Sequence, residues 1–348
     1  MNMSSSAFQS EYNDAVWRQA LAKYHYPRLS KSVWQIVNSV VPYFGLWILA
    51  YFSLKVSYLL TIALAIPAAG FLIRTFIIFH DCVHDSFFKS RKANDILGII
   101  TGIITYTPYY QWKKSHKMHH DTAGDLDQRG VGDVWTMTTE EYLNSSRWKR
   151  LGYRLYRNPL VMFFLGPIYV VFIGHRLPSK AVGRKERLNI HLTNLALLGI
   201  LVLVIQTIGL KDFLLVLLPI NAIGFAAGFW LFYVQHQFEG VYWENHQEWD
   251  FLSSALKGSS YYQLPKILQW FTGRIGYHHI HHLCPRIPNY YLAKCYSESP
   301  LFQEIKPVTL FSSFKALTYR LWDRESNRMV GFRYVRKLRK NKALATQA

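Results

Sequence analysis

Four long apolar runs, set apart by short polar breaks, organise this chain. Trp34 to Leu54 is nearly continuous, and Val56 to Phe79 is interrupted only by Arg74. Each has about the 20 residues that a helix needs to cross a bilayer core. Ser53, Lys55 and Ser57 supply the turn between them, so the pair predicts a helical hairpin. A second hairpin is predicted from about Leu192 to Leu210 and from Phe213 to Val234, turning at Lys211 and Asp212. Two hairpins return every long hydrophilic segment to one face of the membrane. The predicted fold is therefore an all-α membrane protein with four transmembrane helices.

Two weaker apolar stretches remain, Ile96 to Trp112 and Pro159 to Ile173. If either crossed alone, the basic runs beside it would fall on opposite sides, against the usual enrichment of Lys and Arg in cytoplasmic loops. Both are read as interfacial or re-entrant helices. The expected organisation is a polar N-terminal segment over 1–32, a membrane domain over 33–323 and a basic tail over 324–348.

Of 348 residues, 50% are hydrophobic and 18% charged, with a net charge of +19. Such a charge first suggests nucleic acid. Its distribution redirects the argument. The basic residues flank the apolar runs, as Arg147, Lys149, Arg150, Arg154 and Arg157, then Lys180, Arg184, Lys185 and Arg187, then Arg333 to Lys342. That is the pattern of cytoplasmic loops near anionic lipid, and nucleic acid is not the expected partner. Three cysteines (Cys82, Cys284, Cys295) without a CxxC pair do not make a disulfide framework. The first 30 residues lack the apolar core and cleavage site of a signal peptide, so none is expected.

Nine of the 14 histidines fall into a pattern. His80 and His84 form HDCVH at the end of the second run. His116, His119 and His120 form HKMHH; His278, His281 and His282 form HHIHH; and His236 ends the fourth run. Residues at i and i+3 or i+4 share a helix face, so each cluster can present several imidazoles to one point. Imidazole suits iron, zinc, copper or nickel better than magnesium or calcium. Eight or nine histidines exceed what one ion takes, which points to two metals. Ionisable groups at the edge of a span are costly and usually functional. His25, His175, His191 and His246 read as ordinary core or surface residues, and His279, pointing away from its neighbours on a helix, as a supporting or solvated one.

The order HxxxH, HxxHH, HxxHH resembles the membrane fatty acid desaturases. HDCVHDSFF, SHKMHHDTAGDLDQRGVGDVW, WLFYVQHQFE and GYHHIHHLCPRIPNYYL look like bacterial acyl-lipid desaturases, and most like the Bacillus-type enzymes acting at Δ5. The similarity runs over about 33 to 323. It implies a cap of cytosolic helices holding two iron ions, bound by the eight box histidines and His236, above a narrow acyl channel. Some relatives carry, one turn before that last ligand, an asparagine that holds a metal-bound water; Phe232 stands here, so that role does not transfer.

The implied reaction forms a cis double bond in a saturated acyl chain of membrane phospholipid, with O₂ as co-substrate. Its C–H bonds offer no acidic proton and no leaving group, so the chemistry falls to a metal-bound oxidant while the protein supplies geometry and exclusion of water. Asp81, Asp85, Asp121, Asp125 and Glu239 could orient ligand imidazoles, or be solvated loop acids and caps. Gly276 and the PRIPNY segment are expected to shape the backbone at the third box. TPYYQW could line the channel or form an interfacial aromatic belt. With no iron–sulfur, dinucleotide or haem motif, electrons are expected from a ferredoxin or flavodoxin docking on the basic surface. The bacterial cytoplasmic membrane is the expected location. A related membrane hydroxylase and a metal-transport protein stand as rival readings, and Δ10 or Δ12 as alternatives to Δ5.

Overall fold

The computed structural model describes residues 14–130, 132–179 and 182–345. Residues 1–13 of the polar N-terminal segment, Lys180 of the second basic run and the last three residues of the tail lie outside the described residues. A short helix α1 (Asp14–Ala22) precedes the first hairpin, α2 (Leu29–Ser53) and α3 (Tyr58–Val83). Next come α4 (Arg91–Ile104) and α5 (Tyr109–Thr122), then α6 (Thr139–Asn144), α7 (Arg147–Tyr156) and α8 (Gly166–Phe172). The second hairpin is α9 (Arg184–Ile208) and α10 (Leu210–His236). Beyond it lie α11 (Phe251–Lys257), α12 (Lys266–Phe271), α13 (His278–Leu283) and α14 (Asn289–Glu298), then α15 (Leu310–Ser313) and α16 (Phe332–Ala345).

Among the described residues, α2, α3, α9 and α10 are the four helices long and apolar enough to cross a membrane as single helices. These are the four predicted spans, each extended by some residues. Water-driven burial cannot hold such helices together in lipid, so close approach of small side chains must. Ala50, Ala65, Ala68 and Ala69 are fully buried where α3 packs against α2 and α10, alongside Leu72, Val216 and Ile220. Arg74, the one charge inside the second apolar run, turns its guanidinium to the Trp270 carbonyl and lies 4.0 Å from the centre of the Trp270 ring.

The weaker apolar stretches are not straight helices. Ile96 to Trp112 is divided between α4 and α5 at Thr105 to Pro108, where Tyr106 takes a positive φ of 58°. Each piece has 14 residues, about 21 Å of rise against the roughly 30 Å of a hydrocarbon core. Ser90 caps the start of α4 by accepting from the Ala93 backbone N–H at 3.2 Å. Pro159 to Ile173 contains a π-helical turn, Val161–Leu165, followed by α8, and the segment is bent 62° from α7.

A helical cap sits at the end of the bundle where α3 and α10 finish. Among the described residues, strand content is limited to β1 (Tyr262–Gln263) with β2 (Val308–Thr309), parallel, and β3 (Leu321–Asp323) with β4 (Arg328–Val330), antiparallel. The expected boundary at 323/324 thus falls inside a β-hairpin. Val330 and Val335, from the supposed tail, pack on Met137, Tyr142 and Tyr153. The polar N-terminal segment also contributes to the core, since Trp17, Leu21 and Tyr24 are buried in it.

Arg157 ties this cap to the bundle. Buried, it donates to the Trp135 and Tyr319 carbonyls (3.2 and 2.9 Å), Thr136 Oγ1 (3.1 Å) and Gln237 Oε1 (2.9 Å). Each buried acceptor left unpaired costs about 1–3 kcal/mol, so Arg157→Ala is expected to remove about 3 kcal/mol or more. Thermal unfolding in detergent should show the loss, with Arg157→Lys recovering only part because an ammonium cannot fork between these acceptors. An unchanged midpoint would contradict it.

Candidate metal centre

The nine histidines converge where α3, α5, α10 and α13 meet, in two groups. His80, His84, His116, His120 and His281 form one, and His119, His236, His278 and His282 the other; within each, the ligand atoms lie within 4.8 Å of one another. His80 stands in the last turn of α3, His84 caps that helix, and His236 is the last residue of α10. Helix geometry divides the two HxxHH boxes. On α5, His116 and His120, four apart, face the first group while His119 turns to the second. On α13 the assignment reverses: His278 and His282 join the second group and His281 the first. Tyr110 anchors the start of α5 to α9, its backbone N–H reaching Asn189 Oδ1 at 3.1 Å beneath Lys185.

These imidazoles present nitrogens to one another. Nε2 atoms are 3.1 Å apart for His80–His116, 3.2 Å for His116–His120 and 3.1 Å for His120–His281. In the second group the separations are 3.1 Å for His119–His236 and 3.0 Å for His236–His278. An imidazole Nε2 carries one proton or one lone pair, never both, so such a chain cannot be satisfied by hydrogen bonds alone. Nitrogens bound to one ion at about 2.0–2.1 Å lie about 3.0–3.4 Å apart, which these separations match. The Nε2 atoms of His84 and His282 are buried with no hydrogen-bond partner. Burial, reinforced by the neighbouring imidazoles, holds His84, His116, His120, His278, His281 and His282 well below the usual histidine range. They are therefore neutral at physiological pH, as metal ligands must be. The donor set fits two nitrogen-ligated transition metals.

The outer contacts differ from expectation. Asp81 does sit beside His80 Nδ1, at 3.4 Å, and is fixed by the backbone N–H and side-chain amide of Asn289 at 2.7 and 2.8 Å. The other four expected acids contact no histidine of either group. Asp85, leaving α3 with a positive φ, pairs with Lys113 at 2.9 Å. Asp121 lies on the exposed face of α5 and pairs with Lys117. Asp125 folds back on its own loop and on His246 at 2.6 Å. Glu239 is exposed, 3.7 Å from Lys315.

Sequence reasoning missed Asp133. Its carboxylate is 2.9 Å from His119 Nδ1, with 5% of the side chain exposed. Burial works to raise its pKa, but His119 beside it holds the carboxyl below the ordinary value. Gly132 makes this approach possible: it has a φ of +72°, and a Cβ there would lie 2.7 Å from His119 Cβ. No spacing rule exposes such a residue, because a loop folds back to deliver it. His236 Nδ1 lies 3.2 Å from the Gly258 carbonyl. Gly276 is constrained as expected, a Cβ there colliding with the Tyr262 carbonyl. His279 is fully buried among Tyr261, Tyr296 and Phe302, which excludes the solvated alternative.

A cavity of about 260 Å³ opens beneath both groups, with His80, His116 and His278 in its wall. Leu72, Phe76, Phe225 and Phe229 line its apolar length between α3 and α10. From TPYYQW, Thr107 and Trp112 line it, and Trp112 stacks on His116 at 4.1 Å. Tyr109 instead is buried, donating to the Cys82 carbonyl at 2.8 Å. Phe232 covers the second group, 5.4 Å from the rings of both His119 and His236.

The family model for fatty acid desaturases matches residues 55–308. A fatty acid desaturase of Bacillus subtilis (strain 168) is 49% identical over 316 residues, covering 91% of this chain and 90% of that one. An sn-1 acyl-lipid omega-3 desaturase (ferredoxin) of Nostoc sp. (strain 36) is 27% identical, over 67% of this chain and 64% of its own. An sn-1 oleoyl-lipid 12-desaturase of Synechocystis sp. is likewise 27% identical, over 72% and 70%.

Proposed function

The chain belongs to the fatty acid desaturase family, and on that premise we propose that it desaturates acyl chains of membrane phospholipids at a di-iron centre held by the nine histidines. Its family makes it an O₂-dependent oxidoreductase of lipid metabolism. One observation carries the finer reading: the apolar cavity opens directly on both histidine groups. The five-histidine and four-histidine groups would each hold one iron. Iron bound there would supply the oxidising power for a reaction in which O₂, two electrons and two protons remove one hydrogen from each of two adjacent methylenes and yield two waters.

What the chain's own residues do follows from their positions. Phe76, Phe225 and Phe229 form an apolar wall that packs on the alkyl chain and excludes water. His80, His116 and His278, exposed on the cavity wall, fix the level at which methylenes meet the metals. Asp81 keeps His80 oriented by accepting from its Nδ1–H, and the Asp133 carboxylate holds His119 by its charge, 2.9 Å from Nδ1. Phe232 closes the second group with an apolar ring in place of a ligand.

Gly228 lies on the cavity wall, and a Cβ there would meet nothing within 4 Å. Gly228→Leu is expected to fill that space, so that longer acyl chains lose turnover before shorter ones. Product profiles from mixed-length lipids check it; an unaltered length preference would count against the cavity as the acyl site.

The double bond is assigned to Δ5, the position favoured by resemblance to the Bacillus-type enzymes. Expression in a host lacking unsaturated lipids, with mass-spectrometric location of the alkene, tests reaction and position together. A hydroxylated product without alkene would replace the desaturase reading by a hydroxylase. The active site faces the cytosol, supported by the basic segments at the same end of the bundle. A ferredoxin or flavodoxin is the donor, docking on the exposed Arg333, Arg336, Lys337 and Arg339 of α16. Turnover with reduced ferredoxin should fall as salt rises, and indifference to ionic strength would remove this docking mode.

A further inference from the structure

The segment from α7 to α8 forms an elbow whose two faces have different surroundings. On α7, Trp148, Leu151 and Leu155 recur at helical spacing and are 81%, 46% and 55% exposed. Arg147, Lys149 and Arg154 are exposed alongside them. This is the composition of a helix lying in the membrane interface, with apolar side chains in the acyl region and cations among headgroup phosphates. After the 62° bend, α8 continues the apolar surface with Ile168, Tyr169 and Phe172, all exposed. Its opposite face supplies Val170 and Val171 to the cavity wall, followed by His175.

Here α8 puts one face on the cavity and the other on the exterior surface. That helix is short and interrupted. The bend itself falls at residues 157–160; beyond it the π-helical turn Val161–Leu165 precedes α8, with Gly166 and Pro167 at the junction, so the regular backbone ladder is interrupted just before α8. Phe172 packs its ring on the bundle, 6.0 Å from Tyr106 and 6.3 Å from Phe225 between centroids, and Arg176 beyond the helix end donates to the Tyr106 carbonyl and, at 3.0 Å, to Asn194 Oδ1. His175 Nδ1 is buried without a hydrogen-bond partner, an unused polar atom at the inner edge of the partition.

We propose that this elbow is a lateral portal through which an anionic phospholipid passes its acyl chain from the bilayer into the cavity. The phosphate rests among Arg147, Lys149, Arg150 and Arg154, and α8 swings aside at the π-turn to admit the chain. The occupant is a phospholipid because the surface joins cations to a membrane-level apolar stripe, whereas a soluble acyl thioester needs no opening toward lipid. The proposal rests on the acyl-lipid reading above.

The test uses the full chain in vesicles of phosphatidylglycerol carrying a diazirine on one acyl chain, irradiated without reductant so that no turnover occurs. Crosslinks are expected on Val171 and on Phe229 behind it. In Phe172→Cys/Tyr106→Cys protein, joining the two thiols with a short bifunctional reagent should abolish labelling of Phe229 while Ile168 and Tyr169 on the outer face stay labelled. The unjoined variant should label as the parent does. In Arg150→Glu/Arg154→Glu protein, labelling of Phe229 should fall to the level seen with phosphatidylcholine vesicles, a second measurement that needs no thiol pair. Phe229 labelling that survives both changes overturns the portal, as does labelling of Phe229 by a water-soluble acyl thioester and not by lipid. Because these measurements need no chemistry, a chain that labels as expected yet makes no alkene refutes the desaturation reading and leaves the portal standing. An active enzyme indifferent to joining does the reverse.

Discussion

His236→Ala is expected to abolish desaturation and to lower bound iron from about two ions per chain to about one. His236 is the end of α10, and its Nε2 lies within 3.1 Å of the Nε2 atoms of both His119 and His278. Removing it leaves three imidazoles in that group, and the nearest ring, Phe232, has no donor atom to replace it. The five-histidine group shares no ligand with it, so one ion should remain. A lost ligand should exceed the roughly 10–100-fold effect typical of losing an outer partner. Elemental analysis of purified protein and fatty acid profiling of the expression host read the two effects separately. His246→Ala, a change on the exposed Asp125 contact, serves as the control and should keep both ions. Full iron content together with normal product in His236→Ala would sink the assignment of the second group.

Asp133→Ala carries the second large effect, a fall of roughly 10–100-fold in iron affinity or turnover. Asp133 is the carboxylate beside His119 Nδ1, and its charge favours keeping the His119 proton on that nitrogen. Asp133→Asn should do less harm, because an amide oxygen can still accept from Nδ1–H, though without the charge. Iron retention during dialysis against a chelator should rank parent, Asn and Ala in that order; equal retention would reduce Asp133 to a packing residue. The pH dependence has a definite sign. A carboxyl held below its ordinary value contributes stability that is complete above about 3.8 and lost as pH falls through the lower folded-state value.

Some of this was legible in sequence because it depends on local period. The span pairs, the hairpin turns and the one-sided faces of HKMHH and HHIHH follow from helix geometry and the cost of bare backbone in lipid. Charge bias suggested that Ile96 to Trp112 is interfacial or re-entrant, but it gave no sign of the break at Tyr106. Of the five acids left open between orienting a ligand and serving as loop acids or caps, only Asp81 lies beside a ligand histidine, for a physical reason. Proximity in sequence to a histidine box put Asp85, Asp121 and Asp125 on the candidate list, but a helix points its neighbours away from the face its ligands use. Asp133 and Asn289 arrive by loops and by α14, so their roles depend on contacts that the local sequence does not encode.

By itself the sequence determined that nine imidazoles gather at one end of four spans, since each cluster's spacing and each span's length are properties of a single helix. Only the tertiary structure decided how they divide. His119 separates from His116 and His120, and His281 from His278 and His282, because α5 and α13 meet with opposite faces toward the two groups. The packing of α3 against α10, and of α8 beside both, likewise decided that an apolar cavity runs beneath them. Those are relations between helices, and helix–helix packing is set by surfaces far apart in sequence.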